Sequence, residues 1–533
     1  MRRPCFTVAS AFLIVVSLWE WGFRGCHGRI FSFEMHHRFS DPVRKWSQSS
    51  GKLPSAWPEK GSYEYFSELF RHDQFLRGRG LQEIDSRLAF SDGNSTIRIN
   101  SLGFLHYTTV QLGKPGMKFL VALDTGSDLF WVPCNCSKCS PSKRPAYTTD
   151  FNLSIYKPER SSTSKRVSCS NSLCSHHYKC LGASSNCPYT ISYISAETST
   201  SGFLVEDVIH LKTEGSHQES VEAYVMLGCG QVQTGSFLDI AAPNGLIGLG
   251  MEQISVPSIL SREGFTVDSF SMCFGSDGFG RINFGDKGSF DQKETPFNPN
   301  PLHPTYNISV TQFRVGATLI HANIRALFDS GTSFTYLVDP LYSRLVKGFN
   351  LQVQDRRHPS DSRIPFEYCY NMSPDTNLSL IPSLSLTMKG GSLFSVHDPL
   401  IVISTQTVPI YCLAIVKSAE MNIIGQNFMT GYRIVFDREK LVLGWKGFNC
   451  YDQEDHSNSL STRPHNTTVS TSVVAGLNEH SGHKKQPARN VNENETDSHS
   501  STWTATRTRS TSPGTGSFIM YFPLLLYILY ADS

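Results

Sequence analysis

The stretch FLVALDTGS at residues 119–127 decides the fold, because IRALFDSGT at residues 324–332 repeats its pattern. Each is an apolar, strand-like run that delivers one aspartate, Asp124 or Asp329, into a turn of small residues. A unit found twice predicts two related lobes that bring their carboxylates to a shared point. Two carboxylates a few ångström apart share a proton at acidic pH, so one can activate a water while the other donates to a carbonyl. The pattern therefore predicts catalysis by a pair of aspartates.

A single Asp-Thr-Gly or Asp-Ser-Gly is ordinary turn composition. Here both copies follow apolar runs and both continue into apolar residues, at 129–131 and 334–337, which favours the catalytic interpretation. Glycine permits a tight backbone turn, and a hydroxyl three residues after each aspartate is placed to donate to its carboxylate. The residues expected to support the pair are Thr125, Gly126, Ser127, Ser330, Gly331 and Thr332.

Residues 105–450 resemble a pepsin-like aspartic protease, and more specifically the plant nepenthesin-type branch of that family. The resemblance implies a mostly β, bilobal fold with the active-site cleft between two related β lobes, at 105–295 and 305–450. Abundant strand-forming residues, glycine and proline also favour β structure. Besides the two aspartate motifs, the resemblance is carried by residues 107–115, 245–250, 422–427, 432–437 and 443–445.

The same resemblance gives roles to two aromatic residues. Tyr193 matches the tyrosine of the flap that closes over a bound peptide, and Trp131 matches the tryptophan that hydrogen-bonds it. Plain core packing is the alternative for both. The family often has glycine directly after this tyrosine, whereas this chain has Ile194. The sequence departs from the family pattern at this position, and the property that the departure concerns is the mobility of the flap.

The N-terminal residues indicate export and a precursor. Residues 1–28 have a basic start, an apolar run and small residues before a cleavage point, which predicts a secretory signal peptide rather than a membrane anchor. Residues 29–95 hold few core signals and resemble the family's propeptide, in which basic residues cover the acidic cleft until low pH weakens the contact. Cleavage is expected loosely between 80 and 103. An N-terminal extension that is never removed is the alternative.

The C-terminal residues predict a stalk and an anchor signal. Residues 452–517 are rich in Ser, Thr and Asn and are predicted to be disordered, because they cannot bury a core. The tail at 518–533 has an apolar run, 518–530, that is short for a membrane span, and it resembles the cleaved tail of a GPI-anchor signal. A tail anchor and plain secretion are the alternatives, and the attachment residue stays ambiguous.

The chain has 14 cysteines, and removing Cys5 and Cys26 with the signal peptide leaves an even number. His176 and His177 near the first cluster are also compatible with zinc, but an exported chain favours disulfides, so neither metal nor cofactor is expected. The resemblance implies the pairs Cys169–Cys187, Cys174–Cys180, Cys139–Cys229, Cys273–Cys450 and Cys369–Cys412, which leaves Cys134 with Cys136.

Glycosylation sequons are frequent, and several are expected to be occupied in an exported chain. Asn135 lies between two cysteines and is expected to be unmodified. The net charge of +2 gives no reason to expect a nucleic-acid partner. The predicted glycosylation sites are Asn94, Asn152, Asn307, Asn371, Asn377, Asn466 and Asn494.

These patterns predict an aspartic endopeptidase made as a secreted precursor. A peptide would lie extended between the lobes, and the enzyme would be a monomer, GPI-anchored at the extracellular face of the plasma membrane or secreted. The alternative is a non-catalytic cell-surface binding or inhibitor protein that retains the protease fold. Its usual mark, a damaged second aspartate motif, is absent from this sequence.

Overall fold

The computed structural model describes part of the chain, and its described residues lie in one compact unit. The predictions for residues 1–28, the stalk, the C-terminal tail, the cleavage point, Ile194 and five sequons (Asn94, Asn152, Asn377, Asn466 and Asn494) fall outside it. Among the described residues no helix is long and apolar enough to cross a membrane. The described ranges are 29–49, 57–76, 104–139, 154–174, 180–193, 198–214, 218–238, 242–298, 304–372, 381–405 and 408–452.

The N-terminal segment is defined as residues 29–76, and its described parts, 29–49 and 57–76, contribute one strand and two helices to the fold. They are β1 (Phe31–His37), α1 (Asp41–Ser49) and α2 (Tyr63–Leu76). The expectation that this segment holds few core residues is wrong, because its large apolar side chains are buried at a spacing that suits a strand and two helices. The buried ones are Phe31, Met35, Val43, Tyr63, Phe66 and Leu69.

The first lobe is built almost entirely of strands, as its alternating and fully apolar runs predict. It has one helix, α3 (Val256–Arg262), among its described residues. Its strands are β2 (His106–Leu112), β3 (Met117–Asp124), β4 (Trp131–Lys138), β5 (Lys165–Arg166), β6 (Pro188–Ser192), β7 (Ser199–Lys212), β8 (Ser220–Gln233), β9 (Leu246–Gly248), β10 (Ser269–Phe274), β11 (Phe279–Phe284) and β12 (Lys293–Pro296).

The second lobe is also built mainly of strands, and the part of it that the structure describes has two α-helices, α4 (Leu341–Asn350) and α5 (Gln426–Met429). Its strands are β13 (Asn307–Val315), β14 (Thr318–Phe328), β15 (Thr335–Val338), β16 (Cys369–Asn371), β17 (Leu384–Met388), β18 (Leu393–Val396), β19 (Leu400–Ile403), β20 (Ile410–Leu413), β21 (Ile415–Ser418), β22 (Asn422–Ile424), β23 (Tyr432–Asp437) and β24 (Val442–Gly447).

One 14-stranded sheet runs through both lobes, with strands from β12 and β24 at one end to β7 and β5 at the other. In this sheet β1 lies between β11 and β2, so the N-terminal segment joins the strands shared by the lobes to the first lobe's own sheet. A seven-stranded and a three-stranded sheet complete the second lobe. The fold is therefore mostly β and bilobal, as expected from the sequence.

Six disulfides are present among the described residues, and two of the expected pairs, Cys273–Cys450 and Cys369–Cys412, are among them. The four other expected pairs, Cys134–Cys136, Cys139–Cys229, Cys169–Cys187 and Cys174–Cys180, are wrong. The observed bonds in their place are Cys134–Cys229, Cys136–Cys139, Cys169–Cys180 and Cys174–Cys187.

Tertiary proximity explains the four differences. Parallel pairing of β4 with β8 brings the Cα atoms of Cys134 and Cys229 to 4.8 Å, which leaves the nearby Cys136 to pair with Cys139. In the other cluster the sulfurs of Cys169, Cys174 and Cys180 lie within 4.8 Å of one another, so two disulfides lie side by side. Sequence spacing cannot distinguish partners at such similar distances. The sulfurs that suggested zinc are all in disulfides.

Candidate active site

Both candidate aspartates lie where a buried strand ends. Asp124 is the last residue of β3, which runs parallel to β9, and Asp329 directly follows β14, which runs parallel to β22. The partner strands fix the main chain of each turn. The amide of Leu249 donates to the carbonyl of Asp124 at 2.8 Å, and the amide of Asp329 donates to the carbonyl of Ile424 at 3.0 Å. The two lobes therefore present their aspartates in the same way.

In the first aspartate turn, residues 124–128, the carboxylate of Asp124 accepts two hydrogen bonds. The amide of Gly126 donates to Oδ1 at 2.9 Å, and the hydroxyl of Ser127 donates to Oδ2 at 2.5 Å. Both donors come from the turn itself, so its local sequence is enough to orient the carboxylate.

The second aspartate turn, residues 329–333, repeats these contacts. The amide of Gly331 donates to Oδ1 of Asp329 at 2.8 Å, and the hydroxyl of Thr332 donates to Oδ2 at 2.5 Å. The hydroxyls of Thr125 and Ser330 lie 3.4 Å apart and join the two turns across the lobes. Every supporting residue predicted from the sequence is therefore at the site.

The strand beside each aspartate motif has a glycine at the point where its backbone passes closest to the backbone of that motif. A Cβ on Gly248 would lie 2.2 Å from the backbone carbonyl carbon of Asp128. A Cβ on Gly425 would lie 2.2 Å from the carbonyl oxygen of Phe334. No side chain fits at either position, which explains why both lobes have the apolar-apolar-Gly motif in the strand beside the aspartate.

The flap residues predicted from the sequence meet in the structure. The indole Nε1–H of Trp131 donates to the hydroxyl of Tyr193 at 3.2 Å. The ring of Phe237 packs against both, with centroids 4.8 Å from Trp131 and 5.1 Å from Tyr193. Phe237 is a member of this aromatic group that sequence analysis missed, and no motif marks it.

The electrostatics of the first turn favour a protonated carboxyl. The pKa of Asp124 is raised to about 6, mainly by burial. The charge of Asp329 acts in the same direction, and the hydrogen bonds from Ser127 and Gly126 act against it. Burial also raises the pKa of Tyr193, and the charge of Asp124 adds to this effect. The tyrosine is therefore a neutral hydroxyl next to a carboxyl that keeps its proton at mildly acidic pH.

Behind the second turn lies a carboxylate that sequence analysis missed. Asp73 of α2 is fully buried and accepts the amides of Ser333 at 2.6 Å and Phe334 at 3.1 Å, and the hydroxyl of Tyr336 at 3.0 Å. A signal existed in the sequence, because Phe66, Leu69 and Asp73 lie on one helical face at spacings of three and four residues. An aspartate on an apolar helix face indicates a buried partner.

Two histidines, equally unassigned by the sequence, also touch the second turn. The Nε2 atom of His72, next to Asp73 in α2, lies 2.9 Å from the carbonyl oxygen of Gly331. His106 of β2 hydrogen-bonds the backbone of Ser330. Both side chains are almost completely buried.

Comparison with known proteins gives the family. Residues 106–286 match the family model described as xylanase inhibitor N-terminal, and residues 305–447 match the one described as xylanase inhibitor C-terminal. Together these matches cover more than half of the chain and follow the two lobes of the structure.

Named relatives carry the same resemblance over most of their length. The chain is 50% identical to Aspartyl protease family protein 1 of Arabidopsis thaliana over 452 residues, 84% of this chain and 87% of the relative. It is 38% identical to Aspartic proteinase-like protein 1 of the same plant, covering 86% and 88%. Aspartic proteinase nepenthesin-2 of Nepenthes gracilis is 24% identical, covering 70% and 84%.

Solved structures agree on the fold. Conglutin gamma, a basic 7S globulin from lupine seeds, superposes with a TM-score of 0.51 at 20% identity, covering 66% of this chain and 93% of that protein. The structure named edgp gives 0.52 at 18% identity, covering 64% and 91%. With both lobes matched by family models and both aspartate turns in place, the chain belongs to the plant pepsin-like aspartic protease family, which includes the nepenthesins.

Proposed function

We propose that this protein is an endopeptidase that hydrolyses peptide bonds with Asp124 and Asp329. The observation that carries the proposal is the matched environment of the two carboxylates. Each accepts one amide and one hydroxyl from its own turn, and the two turns meet at the hydroxyls of Thr125 and Ser330. Membership of the family alone does not decide activity, since the matching family models are described by the name of an inhibitor.

In the proposed mechanism a water bound between the two carboxylates attacks the scissile carbonyl. The ionised carboxylate takes a proton from this water, and the protonated one donates to the carbonyl oxygen, so the charge of the tetrahedral intermediate is neutralised. The raised pKa of Asp124 makes it the group that keeps a proton in mild acid. The hydroxyl of Tyr193, held by Trp131, closes the site and excludes bulk water.

The setting of this activity is part of the proposal. A peptide lies extended between the lobes, held by main-chain hydrogen bonds and side-chain pockets. The protein is exported as a precursor and acts as a monomer. It is either held at the cell surface by a GPI anchor or secreted. Six disulfides support export, since such bonds form and persist in oxidising compartments.

The test is cleavage of an unfolded protein substrate between pH 3 and pH 8. Residues 29–500 would be compared with the same chain carrying Asp124→Asn, with and without pepstatin. The expected result is acid-favoured cleavage that disappears with the substitution and with the inhibitor. Asp291→Asn is the matched control, because Asp291 is exposed and paired with Lys446 on the surface.

Cleavage that survives Asp124→Asn would contradict the proposal. So would the absence of cleavage at every pH in a folded sample, both with the N-terminal segment in place and after its removal. That second outcome would favour a binding or inhibitor protein that retains the protease fold.

A further inference from the structure

Tyr306, the residue directly before β13, connects the two aspartate motifs across the lobes. Its backbone carbonyl accepts the amide of Phe328, the residue before Asp329, at 3.0 Å. Its hydroxyl donates to the carbonyl oxygen of Leu249 at 2.6 Å, and the amide of Leu249 donates to the carbonyl of Asp124 at 2.8 Å. Two hydrogen bonds therefore join the side chain of a second-lobe residue to the main chain of the first aspartate.

The first lobe makes a matching contact in the opposite direction. His106 of β2 stands at the position equivalent to Tyr306, and its side chain hydrogen-bonds the backbone of Ser330 in the second aspartate turn. The equivalence follows from strand register, because in each lobe the next residue lies opposite the residue two before the aspartate: Tyr107 opposite Ala122, and Asn307 opposite Leu327. Each lobe therefore places one polar side chain from this position on the main chain around the aspartate of the other.

The ring of Tyr306 is packed among aromatic side chains of the sheet that runs through both lobes, and it is 1% exposed. Its centroid lies 4.7 Å from that of Phe436 in β23, 6.1 Å from that of Phe270 in β10 and 5.4 Å from that of Phe297, which follows β12. Phe270 and Phe436 also stack on each other, with centroids 4.7 Å apart. The position of the hydroxyl is therefore set by the sheet that the two lobes share.

Burial also decides the chemical state of this hydroxyl. It raises the pKa of Tyr306, and the charges of Asp128 and Asp268 act in the same direction, whereas the charge of Arg438 acts against it. The hydroxyl consequently keeps its proton and remains a donor throughout the acidic and neutral range. A side chain that is buried and uncharged in this way acts on the reaction only through its acceptor, the carbonyl of Leu249.

This contact can be compared with the other hydroxyl contact between the lobes. The hydroxyls of Thr125 and Ser330 lie 3.4 Å apart, which is long for a hydrogen bond, whereas the hydroxyl of Tyr306 lies 2.6 Å from the carbonyl oxygen of Leu249, which is short. A short hydrogen bond from a packed side chain restrains position more tightly than a long contact between two hydroxyls that can rotate. Catalytic groups must be held within about 0.5 Å of their productive geometry. The Tyr306 contact is the one suited to that requirement.

We propose that Tyr306 is a positioning residue of the active site: its hydroxyl fixes the first aspartate turn relative to the second, so that Asp124 and Asp329 keep the separation at which they share one water. The inference rests on the proposed function, because it gives Tyr306 a part in the same reaction. Tyr306 itself donates no proton to the substrate and makes no contact with it.

Removing the hydroxyl should change the environment of Asp124. The pKa of Asp124 is raised mainly by burial, and the charge of Asp329 acts in the same direction. A first turn that is free to move away from the second lobe admits water and weakens both effects, so Asp124 should titrate at a more acidic pH in Tyr306→Phe. We expect kcat to fall about 10-fold and KM to change by less than about 2-fold, because the geometry of the carboxylates is disturbed while no contact with the substrate is removed.

The titration is measured by nuclear magnetic resonance on the full chain, labelled with aspartate that carries carbon-13 in its side-chain carboxyl. The resonance of Asp124 is the one missing from Asp124→Asn, and it is followed from pH 3 to pH 8 in the parent and in Tyr306→Phe. The matched control is Tyr432→Phe, because Tyr432 is also buried and donates its hydroxyl to a backbone carbonyl, that of Ser395, at 2.6 Å.

We expect the acid shift of Asp124 in Tyr306→Phe and not in Tyr432→Phe. An unchanged midpoint in Tyr306→Phe, or an equal shift in the control, would overturn the proposal. The reason is that a residue that only stabilises the fold leaves the titration of the folded protein as it is.

Two further variants keep the proposal testable if Tyr306→Phe does not fold. Tyr306→p-aminophenylalanine puts an N–H donor in the place of the hydroxyl, and should keep the titration of Asp124 and the kcat of the parent. Thr125→Val removes the contact with Ser330 and keeps the Tyr306 hydroxyl, so Asp124 should again titrate as in the parent. An acid shift in Thr125→Val would assign the positioning to the contact between Thr125 and Ser330 and refute the proposal, as would a loss of kcat in a folded p-aminophenylalanine variant.

The titration needs no turnover, so it separates this proposal from the proposed function. If the parent cleaves no substrate, the protease activity fails, and the titration still decides whether Tyr306 positions Asp124. If the parent is active and the kinetics of Tyr306→Phe equal those of Tyr432→Phe, the protease activity stands and the positioning role is refuted.

Discussion

The two aspartate turns have the same inner hydrogen bonds but are supported from behind by different parts of the chain. In the first turn the fifth residue, Asp128, provides its own carboxylate, which accepts the amide of Glu252 at 2.8 Å. The fifth residue of the second turn is Ser333, and the carboxylate behind it comes from Asp73 of the N-terminal segment. The first turn is thus supported from within its lobe, whereas the second depends on a distant helix.

The eighth residue of each motif shows the same difference. Trp131 in the first lobe donates to the flap residue Tyr193, in front of the carboxylates. Its equivalent in the second lobe, Tyr336, donates to Asp73, behind them. The two lobes therefore share the geometry that orients the carboxylates and differ in their outer contacts. One turn is coupled to the flap and the other to the N-terminal segment.

The largest expected effect tests whether the two turns are equal in catalysis. Asp124→Asn and Asp329→Asn should each lower kcat/KM by about 10³-fold or more, because each removes one of two groups that act as a unit. The double variant should lose little beyond either single one. Steady-state cleavage of a fluorogenic peptide at acidic pH measures this. Substantial activity in either single variant would show that the turns are not equivalent.

The next effect tests whether the turns differ in support. Asp73→Ala leaves two buried amides and a tyrosine hydroxyl without their acceptor, and should lower the free energy of unfolding by about 3–5 kcal/mol. Asp128→Ala should cost about 1 kcal/mol, because Asp128 is half-buried and its carboxylate accepts the amide of Glu252.

Urea denaturation at pH 7 in the Asp124→Asn background measures both losses. Asp73→Asn, which keeps one acceptor oxygen, should recover part of the loss. Equal losses for Asp73→Ala and Asp128→Ala would remove the difference in support between the two turns.

A smaller effect follows from the protonation of the first turn. The pKa of Asp124 is raised by burial to about 6, so the protonated carboxyl that the mechanism needs is lost above that pH. We expect kcat/KM to fall about 10-fold per pH unit above pH 6. The parent should also lose stability relative to Asp124→Asn as the pH rises from 3.8 to about 6, because the unfolded chain ionises in this range while burial disfavours the charge in the folded protein. A flat pH–rate profile up to pH 8 would contradict this prediction.

The smallest effect separates the roles of the two eighth residues. Trp131→Phe removes one hydrogen bond to the flap and should lower kcat/KM about 3- to 10-fold. Adding Tyr193→Phe to this variant should cause no further loss. Tyr336→Phe removes one hydrogen bond to Asp73 and should instead lower the free energy of unfolding by about 1 kcal/mol. Double-mutant cycles, Trp131 with Tyr193 and Tyr336 with Asp73, measure the two couplings. Strong coupling between Trp131 and Tyr336 in a third cycle would show that the flap and the segment are not independent.

The sequence was most informative where contacts are local. Asp124 is held by donors two and three residues away, and Asp329 likewise, so the motif itself contains the geometry. Trp131 and Tyr193 were found through the family resemblance, since nothing in the spacing of 62 residues predicts their hydrogen bond. The cysteine cluster shows the limit, because neighbouring sulfurs at similar distances leave several pairings open to the sequence.

By itself the sequence determined the duplicated β lobes, the two carboxylates and the residues that orient them, because these features repeat and depend on short-range hydrogen bonds. Only the tertiary structure decided what lies behind the second turn. Asp73 reaches Ser333 over 260 residues, and β1 pairs with β11 across the sheet. Such contacts leave no periodic trace in the chain, since burial of a helix face indicates that a partner exists without identifying it.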